Sequence, residues 1–267
     1  MGKTYEQLLD RQQIISRIEK KMRTKVVTLY QNSSSQDSGM ITGQTVDDFQ
    51  IAMDSVGPYD PLMLIIDSKG GLTYSGYCIA ATLARRTTLT ICIVPKEALS
   101  AATMVALSGK KLVLFPDASL SPIDPQYIYK GRSVSALDFL DNRDRAIRAS
   151  AQRQIDLAEE NLRAVCGSRI DSTKLDAFVE RFLLKDKIHA AHGSNIYSDE
   201  IRKLGLRVKN EVRRSHDADN DLKALHTLYK MHSFTKNDPS TIIEYTRNPI
   251  IMRARAKPVI RPKYFVL

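Results

Sequence analysis

Ser100 stands at the head of a run of small and apolar residues, Ser100-Ala101-Ala102-Thr103-Met104-Val105-Ala106-Leu107-Ser108. The second glycine of Lys69-Gly70-Gly71 lies twenty-nine residues before it. A serine at a helix N-terminus sits among amides that have no intrahelical partner, at the positive end of the helix dipole. That environment favours the negative tetrahedral intermediate of acyl transfer. A glycine pair lets backbone amides approach a substrate carbonyl with no side chain in the way. The competing reading is an N-capping serine with no chemistry, followed by small residues that let a helix pack closely on a sheet. A nucleophilic serine also requires a proton acceptor. His216, His226 and His232 are spaced ten and six apart and form no metal motif, and acyl transfer by a serine itself implies neither a metal nor an organic cofactor. Cys78, Cys92 and Cys166 are odd in number and far apart. They read as small buried apolar residues rather than disulfides or metal ligands.

The elements that must position Ser100 and the glycine pair alternate along the chain. Apolar residues on one face predict a helix over Tyr5–Met22, and Lys25–Tyr30 reads as a strand. Asn32–Gly39 is a polar loop. Thr45, as a capping residue, with Asp48 close behind, opens a helix to Ser55. Leu62–Asp67 and Thr88–Val94 are continuous apolar runs, the pattern of strands buried on both faces. A helix over Tyr74–Arg86 separates them. The Ser100–Ser108 helix precedes a strand over Lys111–Phe115. Such alternation specifies an α/β domain with a mainly parallel sheet, whose ligands bind where strands end and helices begin. Gly70-Gly71 and Ser100 fall at two such ends, in successive units. Ser135–Val165 reads as one long, highly charged helix. Thr173–Leu184 is a shorter amphipathic helix, His189–Ile196 a loop, and Asp199–Leu204 a helix stopped by Gly205. Leu222–Met231 has helical spacing, and the region of Pro258 and Pro262 is extended.

Length and 43% hydrophobic content allow one sizeable core. No apolar run reaches the ~18 residues of a membrane span, and the polar start lacks a signal peptide. Glu6 stands where a myristoylation signal needs Ser or Thr. A soluble cytoplasmic protein is expected. Of the net charge of +10, nearly all is carried from Ile201 to Leu267, where 15 Lys and Arg face 6 Asp and Glu. Such a basic extension suits an acidic partner, nucleic acid, an anionic membrane surface or a neighbouring subunit, or equally a solvated tail.

Asp67-Ser68-Lys69-Gly70-Gly71, with Ser100-Ala101-Ala102 downstream, resembles the ClpP/crotonase superfamily, and more closely the serine dehydrogenase proteinase (SDH) family, relatives of signal peptide peptidase A. Arg17-Ile18-Glu19-Lys20-Lys21 before a strand, the segment from Ser100 to Gln126, and His192–Leu206 resemble that family in order. The likeness runs from Glu6 to Val208. It implies a ClpP/crotonase-like fold of repeated β-β-α units with a projecting helical arm over residues 1–208, followed by a basic C-terminal extension over 209–267. It also implies a serine peptidase acting on a polypeptide, assembled as a homo-oligomer through the helical arm. Ser100 matches the nucleophile, and the amides of Gly71 and Ala101 match the oxyanion hole, with Gly70 and Lys69 beside the substrate. The likeness to crotonases would allow acyl-CoA chemistry, but Ser100 and Pro122-Ile123-Asp124-Pro125-Gln126 fit the peptidase branch better.

The base departs from the ClpP pattern. Ile123 stands where ClpP has its histidine, and Gly193 where it has its aspartate. Signal peptide peptidase relatives use a lysine, which accepts a proton if burial lowers its pKa; Lys130 is the nearest candidate here, while Asp138 stands where relatives carry a lysine. His192 matches a histidine of the SDH pattern and serves either as base or as a loop hydrogen-bonding residue. Lys69, where relatives carry proline, is a further basic group that could act as base, clamp a substrate carboxylate or point to solvent. Asp124, between two prolines, is expected to brace the turn, and His189 to be structural. If no base is present, the fold is a silent oligomeric scaffold whose basic extension binds an acidic partner or nucleic acid.

Overall fold

The computed structural model describes residues 2–31, 39–185, 192–210, 216–232, 241–245 and 248–253. In chain order the elements are α1 (Gly2–Met22), β1 (Lys25–Gln31), α2 (Gly43–Asp54), β2 (Leu62–Asp67), α3 (Thr73–Ala84), β3 (Thr90–Val94), β4 (Glu97–Ala98), α4 (Ala101–Leu107), β5 (Lys111–Leu114) and β6 (Ser119–Leu120). There follow β7 (Gln126–Tyr129), β8 (Arg132–Ser135), α5 (Arg145–Cys166), α6 (Ser172–Phe182), β9 (Ile196–Tyr197), α7 (Ser198–Lys203), β10 (Val208–Lys209), α8 (His216–His232), β11 (Thr241–Tyr245) and β12 (Asn248–Arg253).

The apolar runs become the centre of a seven-stranded sheet ordered β10-β5-β3-β2-β1-β11-β12. Every residue of β2 is buried, as a strand covered by helices on both faces requires. From β10 to β1 the pairing is parallel, and β11 and β12 add antiparallel strands at the other end. A second, short sheet β4-β6-β9 stands beyond the carboxyl ends of the central strands. β3, β4 and α4 therefore form one β-β-α unit. After β2, Ser68 makes a single parallel bridge to Ala98, so the glycine turn before α3 occupies the corresponding place in the neighbouring unit.

Two local expectations change. Thr45 is not the cap of α2: the helix starts two residues earlier, and the Thr45 hydroxyl accepts the Thr42 N–H at 3.0 Å and donates to the Met40 carbonyl at 3.2 Å. The expected single helix over Ser135–Val165 is split into a 3-10 turn at Ala136–Phe139 and α5. Asp144 starts α5 because its carboxylate accepts the amides of Ala146 and Ile147. With the β7–β8 hairpin this region has its own small core of Ala136, Phe139, Ala151 and Ile155, edged by Tyr127. The chain after residue 209 adds two strands to the main sheet. β11 pairs with β1, and Arg11 of α1 meets Glu244 of β11 at 3.0 Å with both side chains fully buried. Tyr229 of α8 donates to the same carboxylate. Cys92 and Cys166 are buried, and burial pushes both thiols up to about 12.

His189 lies outside the described residues, as do Pro258 and Pro262 and the side chains of His216 and His232. Among the described residues no helix is long and apolar enough to cross a membrane.

Candidate active site

Two backbone hydrogen bonds bring the glycine turn to Ser100. The Ser68 N–H donates to the Glu97 carbonyl at 3.0 Å, and the Leu99 N–H donates to the Ser68 carbonyl at 2.9 Å. Gly70 then lies so close to the Ser100 turn that a Cβ on it would sit 2.3 Å from the Leu99 carbonyl and 3.0 Å from the Ala101 nitrogen. Its φ of +94° is also unsuited to a side chain. On the opposite side, the Ile41 N–H donates to the Gly70 carbonyl and the Ile41 carbonyl accepts the Leu72 N–H. In a parallel bridge of this kind the intervening residue, Gly71, turns its own amide away from the paired strand. The Ser68 hydroxyl stiffens the turn by accepting the Gly70 N–H at 2.9 Å and donating to Gln31 on β1.

Ser100 occupies the N-cap position of α4 without acting as a cap. Its hydroxyl accepts no amide of the helix, and its backbone is at φ +51°, ψ −121° instead of the extended conformation of a capping residue. A non-glycine residue in that region costs about 1–3 kcal/mol and persists only where its surroundings enforce it. Here they do. The Ser100 N–H donates to the Ser121 hydroxyl at 2.7 Å, and the Ser100 carbonyl accepts the Thr103 N–H at 2.8 Å. The Thr103 hydroxyl donates to the Ala98 carbonyl and accepts the Ser121 N–H, locking three segments together. At the far end of α4, Arg169 donates to the carbonyls of Leu107 and Gly109. Ala101 is the first residue of the helix, where an amide has no intrahelical acceptor.

Ser121 opens the segment Ser121-Pro122-Ile123-Asp124-Pro125, which is buried throughout. The Ile123 N–H donates to the Phe182 carbonyl at the end of α6, at 2.7 Å. Asp124, its side chain fully buried, receives the His192 ring: Nδ1 lies 2.6 Å from Oδ1. A carboxylate only accepts, so His192 donates from Nδ1, and in the neutral imidazole the lone pair is then on Nε2. The His192 loop is held where β9 pairs with β6 and the Ser119 hydroxyl donates to Asn195 at 3.3 Å. Asp124 is thus more than the turn brace expected from its prolines.

The other sequence candidates lie elsewhere or at the margin. Lys130 is at the exposed tip of the β7–β8 hairpin, with its ammonium 5.2 Å from the centre of the Tyr129 ring. Lys130 at φ +51° and Gly131 at +75° make the two-residue turn such hairpins favour. That exposure removes the burial on which the lysine-base reading rested. Lys69 is exposed between buried Ser68 and Gly70, and Asp138 is exposed on the arm. His226 lies 3.3 Å from Asp67, at the end of β2. Sequence reasoning missed Ser121, Thr103, Ser68 and Gln31, hydroxyl and amide residues that join segments distant along the chain, Ser68 to Gln31 and Thr103 to Ser121. The one available signal was that Ser121 and Asp124 are each followed by proline.

The family model of ClpP-like SDH-type serine proteinases matches residues 2–250. The uncharacterized protein MJ0137 of Methanocaldococcus jannaschii is 28% identical over 225 residues, which is 80% of this chain and 70% of that protein. Among solved structures, the 1510-N membrane-bound stomatin-specific protease is 19% identical, with a TM-score of 0.44, over 70% of this chain and 80% of its own. ClpP1 from Listeria monocytogenes is 14% identical, with a TM-score of 0.47, over 73% of this chain and 96% of its own.

Proposed function

The chain belongs to the family of ClpP-like SDH-type serine proteinases, and from that premise we propose that it cleaves peptide bonds with Ser100 as nucleophile, His192 as base and Asp124 as the group that orients the base. The observation that carries this reading is the 2.6 Å contact between His192 Nδ1 and the buried Asp124 carboxylate. It supports a fixed tautomer with Nε2 available to a serine proton. Ser100 Oγ attacks the carbonyl carbon while its proton passes to Nε2. The oxyanion is held by the amides of Gly71 and Ala101. The C–N bond then breaks, the leaving amine takes the proton from Nε2, and an ester remains on Ser100. Water attacks the ester, gives a proton to Nε2, and the acid leaves as Ser100 regains its hydrogen.

The order along the chain is serine, aspartate, histidine, so the acid and the base are exchanged relative to the ClpP positions. This exchange answers the departures at Ile123 and Gly193. It also weakens the reading as a silent scaffold, which rested on the lack of a base. Labelling with a fluorophosphonate probe tests the proposal. Ser100→Ala is expected to abolish labelling. His192→Ala and Asp124→Ala should slow it by about three to four orders of magnitude, as in other triads, and Lys130→Ala should leave it unchanged. Labelling of Ser100→Ala at the wild-type rate would remove the nucleophile; a wild-type rate in His192→Ala would remove the base.

A polypeptide substrate, a homo-oligomer and a cytoplasmic setting complete the reading. The concentration of Lys and Arg after Ile201 supports an acidic partner or nucleic acid for the extension. Removing residues 254–267 keeps every described strand and should weaken salt-sensitive binding to nucleic acid if that segment carries it.

A further inference from the structure

Asp124 uses only one of its carboxylate oxygens on His192. The other, Oδ2, accepts the side-chain amide of Gln126 at 2.5 Å, and the same Nε2 lies 3.4 Å from the Asp124 carbonyl. Since the carboxylate cannot donate, the amide nitrogen must face it, and the amide oxygen must face away. That oxygen accepts the Ser133 hydroxyl at 3.0 Å. Gln126 is the first residue of β7 and Ser133 lies on β8, one residue pair inward from the turn at Lys130-Gly131. A continuous relay therefore runs from the exposed hairpin, through Gln126, to the acid that orients the base.

We propose that Gln126 is a positioning residue for the reaction: it fixes the rotation of the Asp124 carboxylate that presents Oδ1 to His192, and Ser133 sets the orientation of the Gln126 amide. This rests on the Ser100–His192–Asp124 reading. A carboxylate held on one side only can turn about its Cβ–Cγ bond, and the imidazole then loses its fixed tautomer and direction. The hydrogen bond from Gln126 removes that freedom, and the hairpin, with its own small core, supplies the rigid support that partners of a catalytic acid need.

The test is a double-mutant cycle on the fluorophosphonate labelling rate of the full chain. Gln126→Met keeps the length and removes the donor; labelling is expected to slow by about tenfold or more, the scale at which lost outer-shell hydrogen bonds act on oriented histidines. Gln126→Glu keeps size and shape but sets a second carboxylate against Asp124, and should slow labelling further. In an Asp124→Ala background, Gln126→Met should have no additional effect, because its action passes entirely through the missing carboxylate. A merely structural role would slow both backgrounds by the same factor. Ser133→Ala, at an exposed position that does not endanger folding, should give a smaller slowing that also vanishes in Asp124→Ala. Equal effects in both backgrounds, or no slowing by Gln126→Met, would overturn the proposal with the triad intact. Wild-type labelling by Asp124→Ala would instead overturn the triad reading and the Gln126 role with it.

Discussion

At the level of single residues, the site depends on a backbone conformation that Ser100 does not adopt by preference. Its positive φ lifts the hydroxyl out of capping range, and Ser121 is the residue that holds the Ser100 amide there. Ser121 also donates to the Pro122 carbonyl at 3.0 Å, so its hydroxyl is used in both directions. Replacing it by alanine leaves a partly buried N–H without its acceptor, a loss of about 1–3 kcal/mol. We therefore expect Ser121→Ala to lower the urea midpoint and to slow labelling of Ser100, while Lys130→Ala changes neither. Unaltered labelling in Ser121→Ala would mean that the serine turn holds its shape without this bond.

Among the elements, the glycine turn and the Ser100 turn act as one unit, because Ser68 is bonded to the segment just before Ser100. Gly70 sits at their contact. A methyl group there would meet the Leu99 carbonyl at 2.3 Å in a backbone region hostile to side chains. Gly70→Ala is expected to separate the two turns, with lost labelling and a stability loss of about 2 kcal/mol or more, read from thermal unfolding. A folded, fully labelled Gly70→Ala would show that the turns need not touch. The strands feeding these turns were legible in the sequence, since a continuous apolar run such as Leu62–Asp67, alternating with helices, is the pattern of a strand buried on both faces of a parallel sheet. The arm was less legible: its sparse apolar stripe suited one long helix, and nothing local announced that residues 136–139 would close a small core under a hairpin.

For the molecule as a whole, the first helix and the last strands are joined through buried polar groups. Arg11, Glu244, Tyr229 and Thr28 form one network, with the Thr28 and Tyr229 hydroxyls 2.7 Å apart. Burial pushes the Glu244 carboxyl up, with Arg11 opposing, and pushes the Tyr229 hydroxyl up as well. Nearer the site, α8 places His226 against Asp67. Burial raises the Asp67 carboxyl from 3.8 to about 7 and lowers the His226 imidazole from 6.5 to about 4. Between about pH 4 and 7 the native protein keeps a proton on Asp67 that the unfolded chain has released, so this group's contribution to stability falls as pH rises. His226 has the opposite slope from about pH 4 to 6.5 and masks much of the effect in the wild type. In Asp67→Asn the falling contribution is gone. Its stability relative to wild type should improve as pH rises from about 4 to about 7, by at most about 1.4 kcal/mol per pH unit, and level off above. Urea unfolding at a series of pH values measures this, and a difference independent of pH would show that Asp67 does not titrate in the window.

The sequence alone determined the alternation of strands and helices, the pairing of a glycine turn with a serine at successive strand ends, and the family likeness that pointed to Ser100 as the candidate nucleophile. These are properties of local composition, which burial patterns and backbone freedom expose directly. Only the tertiary structure showed that His192 meets the buried Asp124 carboxylate while Lys130 is exposed. Lys130 and His192 were open alternatives along the chain, because the distance between Asp124 and His192 is set by β6, β9 and the end of α6, not by spacing. A hydrogen bond between residues sixty-eight positions apart has no local signature. It arises when the sheet brings both segments to one edge, and there the buried carboxylate takes the imidazole while the lysine stays in water.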